Sequence, residues 1–317
     1  MKKILYFIIA VAILLSIFLC FVLIKRNTTN YHSVNEILSS KSIVHDNNYY
    51  TLKKNITTYL LMGIDNQGGQ ADMLILLVAD HDKDELFMIP INRNLMTDIR
   101  EYDSNGNYLG LKNRQVCLSH SVVYDYYDPK KATIEAVSRL LFDVPIDYYV
   151  SLDIEGIEII SSIVGDVNVT SNETLAEVNI TEGKDVVVNE ENIYLYLSKR
   201  NMIGIGGAQK RLEREVEFLL ACYDKFKHPI KNKNSSIGSL DDLSIKYKKL
   251  KPYVKTNVDE PLVKIMRYLN YDLSEDNVYY VPHKTQLDEN GIYEVCYMKV
   301  AETKEKLLDV FYKKTLY

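Results

Sequence analysis

The longest uncharged apolar stretch of the chain is Ile4 to Ile24, 21 residues broken only by Tyr6, Ser16 and Cys20. As a helix rising 1.5 Å per residue it would be about 31 Å long, the thickness of a bilayer's hydrocarbon core. A cleavable leader has a shorter run and a small-x-small exit, whereas this run leaves through Val22-Leu23-Ile24-Lys25-Arg26. The pattern predicts a single-pass anchor. Lys2 and Lys3 nearly balance Lys25 and Arg26, so basic flanks do not set its orientation. A flank of three residues cannot be a domain, so the bulk of the chain is expected outside the membrane.

Asn27 to Asn55 is polar and rich in Ser, Asn and Tyr, which predicts a stalk or short helical spacer. The expected division is therefore 1–26 cytoplasmic tail and anchor, 27–57 stalk, and 58–317 one globular domain. From Thr58 the texture changes. Tyr59 to Gly63, Met73 to Ala79 and Glu85 to Ile91 are short apolar runs separated by polar turns, the pattern of strands buried on both faces. Lys130 to Phe142 carries apolar positions at helical spacing. Ile146 to Leu152 predicts a strand, Glu155 to Val164 a helix, Asp166 to Thr170 a strand, and Glu190 to Lys199 and Ala208 to His228 helices. After a loop at Asn232 to Ser236 come helical stretches at Leu240 to Leu250 and Pro261 to Leu269. A strand at Asn277 to Pro282 and a helix at Lys299 to Tyr312 close the chain. Strand–helix alternation implies helices covering a sheet.

Composition narrows the class. With 47% hydrophobic and 26% charged residues and only 7 Pro and 13 Gly, the chain is neither disordered nor collagen-like. Four scattered cysteines exclude a disulfide scaffold and a CxxC zinc site, and buried thiols are expected for Cys117, Cys222 and Cys296. Net charge is −5, and setting aside the four basic residues of the first 26 leaves 34 basic against 43 acidic residues. A nucleic-acid partner is not expected. An anionic ligand would have to be met by a local basic cluster.

Several residues are candidates for such a site. Asp65 ends one predicted strand and Asp72 opens the next; two carboxylates at the mouth of a sheet hold a hard divalent cation, or Asp65 simply caps a turn. Arg93 emerges at a strand's end, where α/β sheets bind ligands, and its planar fork suits two phosphate oxygens, unless it is a solvated surface arginine. Arg211 and Arg214 lie three apart on one predicted helix, with Glu215 placed for a helix ion pair with Arg211. Gly204-Ile205-Gly206-Gly207, following Lys199-Arg200, is either an anion-binding loop at that helix's start or a flexible connector. No nucleophile–base pair is visible, and His120 fits a hydrogen-bonded structural role.

Six segments in this order resemble the LytR–CpsA–Psr family. They are Leu60-Leu61-Met62-Gly63-Ile64-Asp65, Ala71-Asp72-Met73, Met88-Ile89-Pro90 through Arg93, Val144-Pro145-Ile146-Asp147-Tyr148-Tyr149-Val150, Gly165-Asp166-Val167-Asn168-Val169 and Arg211-Leu212-Glu213-Arg214. The resemblance runs from about Tyr59 to the C-terminus. It implies a membrane-anchored extracytoplasmic protein of a mainly Gram-positive lineage, with an α/β/α sandwich around a central mixed sheet. It further implies transfer of a phosphoryl-linked glycopolymer, of teichoic acid or capsule type, from a polyprenyl-pyrophosphate carrier to peptidoglycan. The lipid tail would lie in an apolar tunnel, and polyprenyl phosphate would leave. Phosphoryl transfer asks chiefly for charge neutralisation and positioning, which arginines and a metal supply. Asp65 and Asp72 would carry Mg2+, and Asp72 would also help take the acceptor's proton. Arg93, Arg200, Arg211 and Arg214 would grip the pyrophosphate, with Gln70 and Asn94 as further substrate contacts.

The chain departs from the family pattern at several of these places. Family arginines fall on Gln67, Gln70 and Ser198, an aspartate on Asn94, another on Ala208, and a glutamine on Glu215. Each lost arginine–phosphate contact costs about 1.5–3 kcal/mol. Lys199, Lys210 or the Gly204 to Gly207 backbone are candidate replacements, though lysine offers a point charge rather than a fork. The alternative expectation is a non-catalytic relative that binds a lipid-linked glycan, or scaffolds or regulates wall assembly.

Overall fold

The computed structural model describes residues 42–46, 48–65, 69–123, 125–200, 205–227, 245–246, 248–259 and 267–315. The expected anchor Ile4–Ile24, the first part of the stalk, Gln67, Gly204 and the loop at 232–236 lie outside these. Among the described residues no helix is long and apolar enough to cross a membrane.

The three apolar runs near the start of the expected domain become β3 (Ile56–Ile64), β4 (Ala71–Asp80) and β5 (Glu85–Pro90). With β8 (Tyr148–Asp153) and β11 (Val254–Thr256) they form one sheet in the order β11-β8-β3-β4-β5. β3 runs parallel to β8 and antiparallel to β4, so the central sheet is mixed, as expected. The central runs of β3, β4 and β5 are apolar because both faces are covered. Tyr59, Leu61, Ile75, Leu77 and Ala79 pack under α3 (Ile157–Val164), α4 (Ile193–Ser198) and α5 (Gly207–Lys227). Leu60, Met62, Leu74, Leu76 and Val78 alternate to the other face, under α2 (Pro129–Leu140) and α6 (Val300–Phe311). The layers are helix, sheet, helix.

Two of the six sequence segments prove to be fold-holding. Thr58, fully buried, donates its backbone N–H to Asp147 Oδ2 (2.9 Å), and its hydroxyl accepts the Asp147 N–H (2.8 Å). Val144 to Asp147 thereby fixes where β8 joins β3. Gly165 ends α3 at φ +69°, a conformation costly for other residues, and turns the chain into β9 (Val167–Thr170).

The remaining strands are short or carry many polar residues. β6 (Met96–Tyr102) and β7 (Tyr108–Gln115) form a hairpin, as do β12 (His283–Leu287) and β13 (Glu294–Met298), while β10 (Asp185–Val188) pairs with β9. β1 (Ser42–His45) and β2 (Asn48–Leu52) pair with β14 (Tyr312–Thr315) at the other end of the chain. Residues 42–52, expected within the stalk, therefore belong to a sheet with the C-terminal strand. Asn277 to Pro282 is not a strand. A 3-10 turn at Glu275–Asn277 precedes it and Pro282, without an N–H, ends it, leaving one bridge from Val278 to Met88. Arg267–Asn270, expected within a helix, is a 3-10 turn. A short α1 (Leu118–Ser121) precedes α2.

Candidate functional site

Between the sheet and α5 lies a cavity of about 1020 Å3. Its acidic wall is set by a break in strand register. Gly63 pairs with Met73 but Ile64 pairs with Ala71, so Asp72 is the extra residue of a β-bulge and its side chain is turned toward the cavity. Glycine suits this position, because a Cβ would meet the Met73 Cβ at 3.0 Å and push it aside. Asp65 follows the same strand end, and its Oδ1 accepts the Gln70 N–H at 2.7 Å.

Pro90 ends β5, and the next turn presents Arg93 and Asn94. Asn92 Oδ1 accepts the Asn94 N–H at 3.0 Å and holds that turn, while Asn92 Nδ2 donates to Gln209 Oε1 on α5 at 3.2 Å. The Arg93 guanidinium pairs with Asp72 and donates to Gln70 Oε1 and Cys117 Sγ. From α5, Arg211 Nη1 lies 3.0 Å from Asp72 Oδ2, and its Nη2 donates to the Asp72 carbonyl at 2.6 Å. Asp72 thus holds two arginines together. Arg200 also lines the cavity, and among the described residues it makes no hydrogen bond or ion pair. Burial first, and then the charges of Arg211 and Arg93, push its guanidinium down, with Asp72 opposing. A cation held so near two others is in place for an anion.

Along α5 the cavity-lining positions Gly207, Ala208, Arg211, Glu215, Phe218 and Leu219 repeat at three and four residues and so share one face. From Arg211 to Leu219 the helix rises about 12 Å, and over that distance the wall changes from charged to apolar. Leu152, Ile154, Ile157 and Ile160 line the cavity with Phe218 and Leu219. One cavity therefore offers an arginine-rich part and an apolar part.

The chain matches the LytR_cpsA_psr family over residues 20–312. It belongs to that family. A relative from Bacillus licheniformis, named polyisoprenyl-teichoic acid–peptidoglycan teichoic acid transferase TagU, is 25% identical over 272 residues, 81% of this chain and 78% of its own. Among solved structures, Bacillus subtilis TagV superposes with a TM-score of 0.58 at 21% identity, covering 81% of this chain and 96% of the other. TagT bound to LI-WTA superposes at 0.56 with 18% identity, covering 81% and 89%.

For a member of the LytR–CpsA–Psr family, the residues expected at the site divide in two. Asp65, Gln70, Asp72, Arg93, Asn94, Arg200 and Arg211 all line the cavity. Arg214 does not. It is fully buried behind the wall, where it pairs with Glu173 and donates to the Tyr196 carbonyl (2.9 Å) and the Lys199 carbonyl. Arg214 stands at the edge of the cavity-facing arc of α5, and its contacts to Glu173, Tyr196 and Lys199 take its side chain into the support of the segment carrying Arg200. Of the candidate substitutes, Gly207 lines the cavity while the two lysines lie elsewhere. Lys199 pairs with Glu177 at 2.8 Å, and Lys210 lies 3.8 Å from Glu182. The Gly206 N–H is taken by Glu294 Oε2 at 2.7 Å.

Glu294 is a cavity residue that spacing along the chain does not reveal. Its Oε1 accepts from Asn94 Nδ2 at 3.1 Å, joining residues 200 positions apart. Glu215 carries a visible signal, its i,i+4 relation to Arg211, but that spacing is common on any helix surface. His120 is structural as expected, its Nδ1 lying 2.6 Å from the Gly69 carbonyl, and burial pushes its pKa down. Cys117, Cys222 and Cys296 are buried free thiols.

Proposed function

We propose that the chain transfers a phosphoryl-linked glycopolymer from a polyprenyl-pyrophosphate carrier to a hydroxyl of peptidoglycan. The observation that supports this best is the cavity's two-part wall, which matches an amphiphile with an anionic head and a long apolar tail. Arg93, Arg200 and Arg211 bind the pyrophosphate through charge-assisted, fork-shaped contacts. Ile154, Ile157, Ile160, Phe218 and Leu219 receive the prenyl chain. The acceptor oxygen forms a bond to the glycan-bearing phosphorus as the bond to the bridging oxygen breaks. Polyprenyl phosphate leaves with the electron pair, and Asp72 takes the hydroxyl proton. Arginines around the phosphoryl oxygens stabilise the charge that spreads over them in the transition state.

Asp65 and Asp72 are the residues that would hold Mg2+. Among the described residues no group of three His, Cys, Asp or Glu side chains could hold a metal ion. Two carboxylates nevertheless suit magnesium, which keeps several waters and takes substrate phosphate oxygens. When bound, the ion supplies further neutralisation of phosphate charge. The site faces the outside of the membrane on this reading, with Ile4–Ile24 as the anchor.

A second reading, a receptor for lipid-linked glycan without turnover, is favoured by one feature. Both Asp72 oxygens are engaged by arginines, Oδ1 by Arg93 and Oδ2 by Arg211. The full chain in detergent micelles, given a polyprenyl-pyrophosphate disaccharide, a peptidoglycan oligomer and magnesium, distinguishes the two. Release of polyprenyl phosphate by the parent and not by Arg93→Ala supports transfer. Binding that Arg93→Ala weakens, without release, means a receptor, and neither result with several glycans refutes both.

A further inference from the structure

Glu215 lines the cavity from the middle of α5, one turn beyond Arg211 and one turn short of Phe218 and Leu219. Its side chain is only 6% exposed, and Oε1 lies 3.2 Å from Arg211 Nε. Oε2 has no hydrogen-bond partner among the described residues. Buried polar atoms in folded proteins are almost always paired. Glu215 lines the cavity, so a small turn of its side chain offers this unpaired oxygen to whatever enters.

We infer that Glu215 is a ligand-contacting residue whose neutral carboxyl donates its O–H to an anionic oxygen drawn in by Arg211, at the boundary between the ligand's charged head and apolar tail. The inference rests on the function proposed above and adds a proton to it. An ionised Glu215 would repel the phosphate and hold Arg211 back from it, whereas the neutral form offers the donor that Oε2 lacks a use for. The charged groups facing it are Arg211 and Arg214 on its own helix, Asp72 from β4 and Arg93 from the turn after β5. Burial pushes its carboxyl up to about 7, with Arg211, Arg214 and Arg93 opposing and Asp72 adding. Ligand binding is then accompanied by proton uptake near neutral pH.

The test uses the full chain in detergent micelles and, as ligand, a C20 polyprenyl-pyrophosphate disaccharide, whose disubstituted pyrophosphate does not titrate near neutrality. With a midpoint of about 7, the neutral fraction falls from about nine-tenths at pH 6 to about one-tenth at pH 8, so parent affinity should fall about tenfold. Glu215→Gln keeps an N–H donor at both pH values and should change less than about twofold. Parallel pH curves for parent and variant overturn the inference while leaving the proposed function standing. If neither protein binds at either pH, the proposed function fails and the inference falls with it. Calorimetry of the parent alone in two buffers of different ionisation enthalpy needs no variant. Uptake of about half a proton at pH 7 is expected, and none overturns the inference.

Discussion

Replacing Arg214 by Met tests whether this arginine supports the site from behind rather than touching ligand. In the parent, Arg214 and Glu173 are an ion pair with side-chain exposures of 0% and 4%, and two backbone carbonyls, of Tyr196 and Lys199, accept from the other two guanidinium nitrogens. Removing the arginine alone strands a buried carboxylate and those carbonyls, a loss of about 3–5 kcal/mol. At roughly 2–4 °C per kcal/mol for a domain of this size, Tm should fall by about 6–20 °C. Adding Glu173→Leu removes the stranded charge and should restore more than half of the loss, because a buried pair can be exchanged for apolar groups at small net change. Ligand affinity should not return with it, since the double variant still lacks the donor to the Lys199 carbonyl that fixes the start of the Arg200 segment. Thermal unfolding by circular dichroism and binding of the polyprenyl-pyrophosphate disaccharide, both on the full chain in detergent, read these quantities separately. A single variant within about 2 °C of the parent, or a double variant as unstable as the single, would refute the reasoning.

Three further expectations follow from the same contacts. Arg200→Ala should leave Tm within about 2 °C of the parent, because Arg200 has no hydrogen bond or ion pair among the described residues to lose; ligand affinity should fall about tenfold or more, and a large Tm loss would show a structural role instead. Asp72→Asn, measured in EDTA, should bind the ligand more tightly because it frees Arg93 and Arg211 from an internal anion, yet release no polyprenyl phosphate when magnesium is restored; weaker binding in EDTA would contradict the competition. Glu215 has a folded pKa of about 7, above the ordinary carboxylate range. Over that interval the folded state holds more protons, so its stability falls as pH rises. Glu215→Gln should therefore gain Tm relative to the parent between pH 5 and pH 8, and a constant difference across that range would refute the assignment.

The parts of the fold that were legible in the sequence are those whose environment is uniform along the chain. β3, β4 and β5 are covered on both faces and so are continuous apolar runs, and α2, α3, α5 and α6 bury one side and carry the helical period. The hairpin of β6 and β7 was illegible because β7 is exposed along most of its length and alternates little. β1 and β2 were assigned to a stalk because their pairing partner, β14, lies some 260 residues away. At the site, Asp65, Asp72, Arg93, Arg200 and Arg211 could be named because each stands at a strand end, a loop or a helix start. Arg214 was grouped with Arg211 on spacing alone. Along α5 it is Glu215, four positions on, that shares the cavity-facing side, while Arg214 turns to Glu173. Glu294 reaches the site through tertiary contacts to Asn94 and Gly206, and local pattern carries no trace of it.

The bulge at Asp72 explains how a site with fewer arginines than the family pattern can still present an ordered cluster. Like charges as close as Arg93 and Arg211 repel, and in a low-dielectric cavity that repulsion would drive the side chains apart without a carboxylate between them. Asp72, placed by backbone register rather than by a flexible loop, pairs with both. On the proposed function, a pyrophosphate, with more charge than one carboxylate and more acceptor oxygens, would take over both forks, with Arg200, which makes no hydrogen bond or ion pair among the described residues, as a further donor. With the forks turned to the phosphate, the oxygens of Asp72 would be released to accept a hydrogen bond from an acceptor hydroxyl. On that reading the residue that holds the two arginines together becomes available for the proton at the stage when a proton has to move.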